Sequence, residues 1–461
     1  MTLHPATRST PIRSGADAAA SAELREVDGR RVSWFRIAGG KHHGAIGVRG
    51  GATVERAVQL AGELEIPLVG ELDTSGAELG EGVAALHAWG RLARELVSVS
   101  GAVPTLLSVA GACVSGPALA LGCFDQVVMT DDAFAFVTGP DSIADFTGES
   151  VSRTELGGAG VHDRRSGVAA LVVPDEPTAR EALAAILSYL PDHHLADPPR
   201  GARLDARDRS CARAAETIPA SPSASYDVRT VIDDVVDADS RLELRAAYAP
   251  NMVTALAALD GRPVGVVANQ PAHRAGTIDI EASRKAARFI AWCDNFNLPI
   301  ITFVDTPGFE PGRDLEWRGM IRHGAELVHA YAAATVPRLC VVMRKAYGGA
   351  YIVMDSRGIG NDLTVAWPGA QIAVMGAPPA VQILHGKRLR TLDADDRAAA
   401  EAELVDEYVE KFDNPYRAAE RGLVDAVIAP EATRAVLCDA LDVLASKRDA
   451  QPQRRHSNTP L

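Results

Sequence analysis

Aromatic side chains make up only 5% of this 461-residue chain, and its cysteines are few and scattered. The six cysteines stand at 113, 123, 211, 293, 340 and 438 with no CxxC pair. Neither a zinc ribbon nor a disulfide framework has a visible pattern, and a reducing cytoplasm is the expected setting. Positive charge is also short: 47 Lys and Arg against 60 Asp and Glu leave a net charge of −13. With no basic run to segregate that charge, nucleic acid is not an expected partner. No apolar run reaches the roughly 18 residues of a membrane-spanning helix, and the polar N-terminus lacks the apolar core of a signal peptide. The chain reads as soluble, with no membrane partner. No carboxylate pair or catalytic triad shows convincing spacing, and the loop histidines His42, His43 and His193 read as solvated, so no metal is expected.

What the chain does have is 47% hydrophobic residues, many of them Ala and Val, and 40 glycines. That composition suits closely packed α/β layers, and the length suits two domains. A repeat organises them. Val27-Asp28-Gly29-Arg30 and Leu259-Asp260-Gly261-Arg262 stand 232 residues apart, each reading as a hairpin turn that enters a strand. A Gly-rich loop (Gly44 to Gly51) and a helix from about Val54 to Leu64 follow the first; a loop and a helix from Glu281 to Cys293 follow the second. Next come the strands at Leu68 and Ile300, ending at Asp73-Thr74-Ser75-Gly76 and Asp305-Thr306-Pro307-Gly308. Pro104 to Gly116 and Pro337 to Gly349 both span 12 residues. Strands alternating with helices predict parallel sheets with right-handed crossovers, built by duplication. Residues 1–22 and 446–461 read as flexible tails, 23–200 and 226–445 as domains, and the Pro- and Ser-rich stretch 201–225 as a linker. The charged run Asp393 to Phe412 reads as a solvated or intersubunit helix.

The stretch Leu339-Cys340-Val341-Val342-Met343-Arg344-Lys345-Ala346-Tyr347-Gly348-Gly349-Ala350 predicts a buried strand, a tight turn and a helix beginning near Gly349. Paired glycines let the backbone approach another group without a Cβ in the way, and the first N–H groups of a helix have no intrahelical acceptor. Such a turn is either a close helix–strand contact or a pair of donors aimed at a developing oxyanion. Cys113, before the corresponding first-half turn, has no base partner nearby in sequence.

In order, the second half carries Asp260-Gly261-Arg262-Pro263-Val264, Asn269-Gln270-Pro271, Asp305-Thr306-Pro307-Gly308-Phe309, Ile321-Arg322-His323-Gly324-Ala325, Ala366-Trp367-Pro368, Met375-Gly376-Ala377 and Asn414-Pro415-Tyr416-Arg417-Ala418-Ala419-Glu420-Arg421-Gly422. This set resembles the carboxyltransferase subunits of biotin-dependent acyl-CoA carboxylases, of the propionyl-CoA carboxylase β type. The first half resembles them in Ser75-Gly76-Ala77, Thr138-Gly139-Pro140, Glu155-Leu156-Gly157-Gly158-Ala159 and Ser188-Tyr189-Leu190-Pro191. The resemblance covers about residues 24 to 440, and the family's usual N-terminal lead-in reads as missing or shortened.

The resemblance implies tandem crotonase-like (ClpP/crotonase) α/β domains, an acyl-thioester side in the first and a biotin side in the second. It implies that carboxybiotin releases CO2, the biotin ureido nitrogen takes the α-proton, and the thioester enolate captures CO2, with two oxyanion holes holding the enolates. On that basis Gly349 and Ala350 match the biotin-side hole, with Tyr347, Gly348, Pro307, Gly308 and Phe309 around it. Ser115 and Gly116 take the corresponding catalytic place in the first half. Ser75, Gly76, Ala77, Gly139, Gly157 and Gly158 are expected to bind the thioester, and Ile352 stands where family members vary an acyl-pocket residue. No lysine has a Met-Lys-Met setting and no Gly-rich ATP-binding segment is present. Biotin is therefore expected on a partner chain, a biotin carboxylase or biotin carrier subunit, and the family implies a homo-oligomer, dimer to hexamer.

The first half departs from the family at three places. Ser115-Gly116-Pro117 replaces Gly-Gly-Ala, and proline has no N–H to donate, so a hole here uses Gly116, Ser115 or the Ser115 hydroxyl. Glu78 stands where the family has an arginine, and the family's Gly-Gly-Ser-Leu-Gly loop is not clean in Gly44 to Gly51. These changes keep three alternatives open: decarboxylation of a malonyl-type thioester, transfer to a noncanonical acceptor such as a carrier-protein thioester, and a non-catalytic paralogue in a carboxylase complex.

Overall fold

The computed structural model describes residues 9–13, 19–39, 41–203, 205–452, 458 and 460. They form two compact units. One holds the chain up to Pro199 with Leu244–Tyr248 and Asn295–Asn297; the other holds Arg200–Glu243, Ala249–Asp294 and the chain from Leu298 on.

The first unit contains β1 (Ser9–Arg13), β2 (Ala20–Val27), β3 (Arg30–Ile37), β4 (Leu68–Thr74), β5 (Thr105–Val114), β6 (Gln126–Thr130), β7 (Phe134–Phe136) and β8 (Leu171–Val173). The sheet runs β1-β2-β3-β4-β5-β6-β8, with β7 on the far part of β5. The second unit contains β9 (Leu242–Glu243), β10 (Met252–Leu259), β11 (Arg262–Asn269), β12 (Ile300–Thr306), β13 (Arg338–Tyr347), β14 (Leu363–Ala366), β15 (Gln371–Ala373) and β16 (Ala426–Val427). Its order is β16-β14-β13-β12-β11-β10-β9, with β15 on β13. Strand for strand, the second sheet repeats the first, so the duplicated architecture read from spacing is present in the fold.

Each sheet has an antiparallel edge, β1–β2–β3 in the first and β9–β10–β11 in the second, built on the hairpins β2–β3 and β10–β11, and continues in parallel from there. Both hairpin turns place an Asp-Gly pair at positive φ: Asp28 at 48° and Gly29 at 80°, Asp260 at 52° and Gly261 at 72°. That turn matches the right-handed twist of the strands it joins. The parallel strands are covered on both faces, which is why β12 and β4 read as near-continuous apolar runs and why β12 is buried throughout.

Several boundaries differ from the sequence expectation. The helix placed at about Val54 begins at Val48, because the Glu81 carboxylate accepts from Val48 N at 2.6 Å and supplies a cap from 33 residues downstream. The tail expected at 1–22 lies in part outside the described residues, while Ser9–Arg13 forms an edge strand against β2. The tail expected at 446–461 also lies partly outside them. Its start is held: the Lys447 ammonium sits 2.9 Å from Asp362 and 2.8 Å from Asp449, and Asp449 N donates to Thr335 O. Nor is 201–225 a free linker. It contains the helix Ala212–Thr217, and Cys211 and Ala214 are buried in the core of the second unit. The charged helix Ala394–Phe412 has no buried residue.

Candidate active site

In the second unit the site begins with a strand irregularity. β12 and β13 pair regularly up to Val304↔Val342 and resume at Thr306↔Ala346, so Met343, Arg344 and Lys345 stand opposite the single residue Asp305. The buried Asp305 carboxylate fills the gap, accepting from Lys345 N at 3.1 Å, Arg344 Nε at 2.9 Å and the Tyr226 hydroxyl at 2.8 Å. Burial raises its pKa, and Arg344 beside it pulls the other way. The Arg344 guanidinium also donates to Ala224 O at 2.8 Å, and Lys345 Nζ to Pro222 O at 2.5 Å.

Beyond this bulge β13 ends at Tyr347, and the chain turns at Gly348, φ 58°, into the short helix Gly348–Val353. A Cβ on Gly348 would meet Val374 O at 3.1 Å, and one on Gly349 would meet the Phe309 ring at 3.4 Å. Ala350 is fully buried. Phe309 reaches this corner from the end of β12 through the half-buried Pro307 and Gly308, and it pairs with Ile278 in an isolated bridge. The Tyr347 hydroxyl lies 3.1 Å from Gln371 Oε1 and 3.2 Å from Asp413 Oδ2. Burial pushes the Asp413 carboxyl up to about 6 against the pull of that hydroxyl, and it raises the Tyr347 phenol too. The biotin-side candidates thus gather at one corner. Ile352 sits on the same helix, 49% exposed.

The first unit repeats the device. β4 and β5 pair up to Leu72↔Val109 and resume at Thr74↔Cys113, leaving Ala110, Gly111 and Ala112 opposite Asp73. Asp73 Oδ1 accepts from Ala112 N at 3.0 Å. β5 then ends at Val114, and Ser115 turns the chain at φ 66°, ψ −124° into the helix Gly116–Ala120. Ser115 N donates to Phe136 O at 2.9 Å. A Cβ on Gly76 would lie 3.8 Å from that of Ser115, Ser75 N donates to His43 O, and Ile46 N to Gly76 O, both at 2.9 Å. Ala77 pairs with Ile46.

The other first-half candidates converge on β7, whose Phe136 pairs with Val114. A Cβ on Gly157 would fall 2.0 Å from Ala135 O and one on Gly139 would fall 3.5 Å from the Phe136 ring; Gly158 bridges to Phe134. Glu78 accepts from Gly80 N at 3.1 Å and pairs with His42, and the His42 bond, then Gly80 N, lowers its pKa. Burial pushes the Cys113 thiol up to about 12, which leaves it a neutral core residue rather than a nucleophile. Asp73 and Asp305 were not singled out from sequence as site residues. Their signal was available: each stands before a Thr at the end of a repeated strand.

Comparison with known proteins settles the family. A family model described as "Carboxyl transferase domain" matches residues 16–459. The chain belongs to the carboxyl transferase family. Over 437 residues this carboxyl transferase is 44% identical to the "Propionyl-CoA carboxylase, carboxyltransferase subunit" of Haloferax mediterranei, covering 95% of this chain and 84% of that one. It is 38% identical over 436 residues to the "Methylmalonyl-CoA decarboxylase subunit alpha" of Propionigenium modestum, covering 94% and 84% of the two chains. Among solved structures it is similar to transcarboxylase 12S, described as a hexamer with methylmalonyl-coenzyme A and methylmalonic acid bound. The TM-score is 0.95 at 36% identity, over 100% of this chain and 90% of that one. The fold expected from the resemblance, tandem crotonase-like domains, is the fold observed. Among the described residues no cluster of three or more His, Cys, Asp or Glu is placed to hold a metal, and no helix is long and apolar enough to cross a membrane.

Proposed function

We propose that this carboxyl transferase moves a carboxyl group between a biotin carried on a partner chain and the α-carbon of an acyl-CoA thioester. The observation that carries the proposal is the Gly348-Gly349-Ala350 corner, where a bulge anchored by Asp305 precedes two successive residues without Cβ. A ureido ring fits such a corner, because bare backbone lies on one side and the Phe309 ring packs against Gly349. Bound there, biotin would supply the transferable carboxyl group and a ureido nitrogen able to take the α-proton of the thioester. The chain's part is to hold charge. In this proposal the Gly349 and Ala350 N–H groups donate to the oxygen of the biotin-side enolate, and Tyr347 and Phe309 shape the corner. Ser115 and Gly116 stand at the thioester side, with Ser75, Gly76, Ala77, Gly139, Gly157 and Gly158 forming its walls, and Ile352 sets the acyl width. The chain works in the cytoplasm as a homo-oligomer beside a biotin carboxylase or biotin carrier subunit.

The test is reverse transfer by the purified protein: free biotin with malonyl-, methylmalonyl- or ethylmalonyl-CoA, following thioester loss with and without biotin. The proposal expects biotin-dependent loss, and the apolar Ile352 predicts that the branched substrates are accepted. Thioester loss independent of biotin supports the second reading, a decarboxylase of malonyl-type thioesters. The relation to the Propionigenium modestum decarboxylase subunit is what favours that alternative.

A further inference from the structure

The two corners superimpose in logic but not in chemistry. Val114 pairs with Phe136 on the short parallel strand β7, and Tyr347 pairs with Ala373 on β15. The next residue in each, Ser115 and Gly348, takes positive φ, 66° and 58°. Gly116 then corresponds to Gly349, and Pro117 to Ala350. Pro117 is buried at the start of its helix and has no N–H, so the first corner lacks one of the two backbone donors that the second corner offers.

The serine occupies a conformation that glycine adopts without strain and other residues rarely do. A side chain is kept there all the same. It is exposed, and its Cβ lies over Gly76 of the Ser75-Gly76-Ala77 segment, while its own N–H is already spent on Phe136 O. We infer that the Ser115 hydroxyl replaces the donor lost at Pro117: beside Gly116 N–H, it donates to the thioester carbonyl oxygen as that oxygen becomes an enolate. No bond to Ser115 forms or breaks, and the hydroxyl keeps its proton throughout. This inference rests on the carboxyl-transfer reading above and assigns the group that completes its thioester side.

Four variants test it: Ser115→Ala, Ser115→Gly, Pro117→Ala and the double variant S115G/P117A, which rebuilds the Gly-Gly-Ala of the second corner. In reverse transfer from methylmalonyl-CoA to biotin, Ser115→Ala and Ser115→Gly are expected to lower kcat/KM for the thioester by about 100-fold. The KM for biotin is expected to stay at its wild-type value. Ser115→Gly is expected to melt above the wild type, since glycine removes the strain, whereas Ser115→Ala is not. S115G/P117A is expected to recover most of the lost rate. Wild-type rates in both single serine variants, or a double variant no faster than Ser115→Gly, overturns the inference.

An infrared measurement separates its failure from that of the reading beneath it. Bound propionyl-CoA labelled with 13C at the thioester carbonyl is expected to absorb at lower frequency in the wild type than in Ser115→Ala. Equal frequencies in two proteins that both bind the thioester remove the inference alone. Absence of thioester binding in the folded wild type removes the acyl-CoA reading and the inference with it.

Discussion

At the scale of single residues, the carboxylates decide more than the thiols. Asp413 is the clearest case: its side chain is buried, one oxygen faces the Tyr347 hydroxyl, and the other has no hydrogen-bond partner among the described residues. Its carboxyl, pushed up to about 6 by burial, favours the protonated form in the folded chain. Its stabilising contribution is therefore complete below the ordinary aspartate range and is lost as pH rises from about 4 through 6. Asp413→Asn removes that loss. Its stability relative to wild type is expected to rise across this window by about 2–3 kcal/mol and then level off, as urea melts at pH 4, 5, 6 and 8 will show. A difference that does not change with pH contradicts the assignment. Cys113 makes the opposite point. Spacing alone left its role open, and burial with a raised thiol pKa closes the question in favour of the core.

Among elements, the strand-end bulge is the feature that positions everything after it. Parallel strands need evenly spaced bonds, and a three-against-one excursion breaks that run in both sheets at the same place. A carboxylate takes the N–H that the break would orphan. Asp305 goes further, holding Arg344 and the Tyr226 hydroxyl in the same buried cluster. Asp305→Ala leaves a buried guanidinium without its partner and is expected to cost about 3–5 kcal/mol, read as a fall in the urea midpoint of the second unit's transition. A loss below about 1 kcal/mol contradicts the anchoring role.

The bulge was only half legible. The repeated Asp-Thr at the strand ends could be read, but the extra residues opposite it depend on pairing across 40 positions, which local patterns do not carry. The helix start at Val48 was hidden for a similar reason. Gly50 and Gly51 look like loop, and the cap that lets them begin a helix comes from Glu81. The positive φ of Ser115 gave no sequence signal, because serine rarely takes that conformation and only the matching Gly348 hinted at it.

For the whole molecule, duplication was the most legible property, since two matching 12-residue intervals and two Asp-Gly hairpins survive as spacing even where side chains have diverged. The edges were least legible: β1 comes from a Ser- and Thr-rich segment, and residues 201–225 enter a core despite a linker-like composition. Self-association is a prediction at this scale, and exposed apolar side chains of the first unit give it a place to be tested. Val83 and Leu86, 80% and 59% exposed, stand one turn apart on the helix Val83–Val99, and Leu79, 91% exposed, lies in the turn that precedes it. Sedimentation is expected to show a species larger than the 48.6 kDa chain, and Val83→Asp to shift it toward the monomer; a wild-type monomer at micromolar concentration contradicts the assembly.

The most direct measurement follows the carboxyl carbon itself. The purified protein is given methylmalonyl-CoA labelled in its free carboxyl group, together with unlabelled biotin, and the label is sought in biotin and in released CO2. Carboxyl transfer predicts label on biotin at a rate matching thioester loss, with little loss when biotin is left out. Label appearing only as CO2, at the same rate with and without biotin, would contradict it.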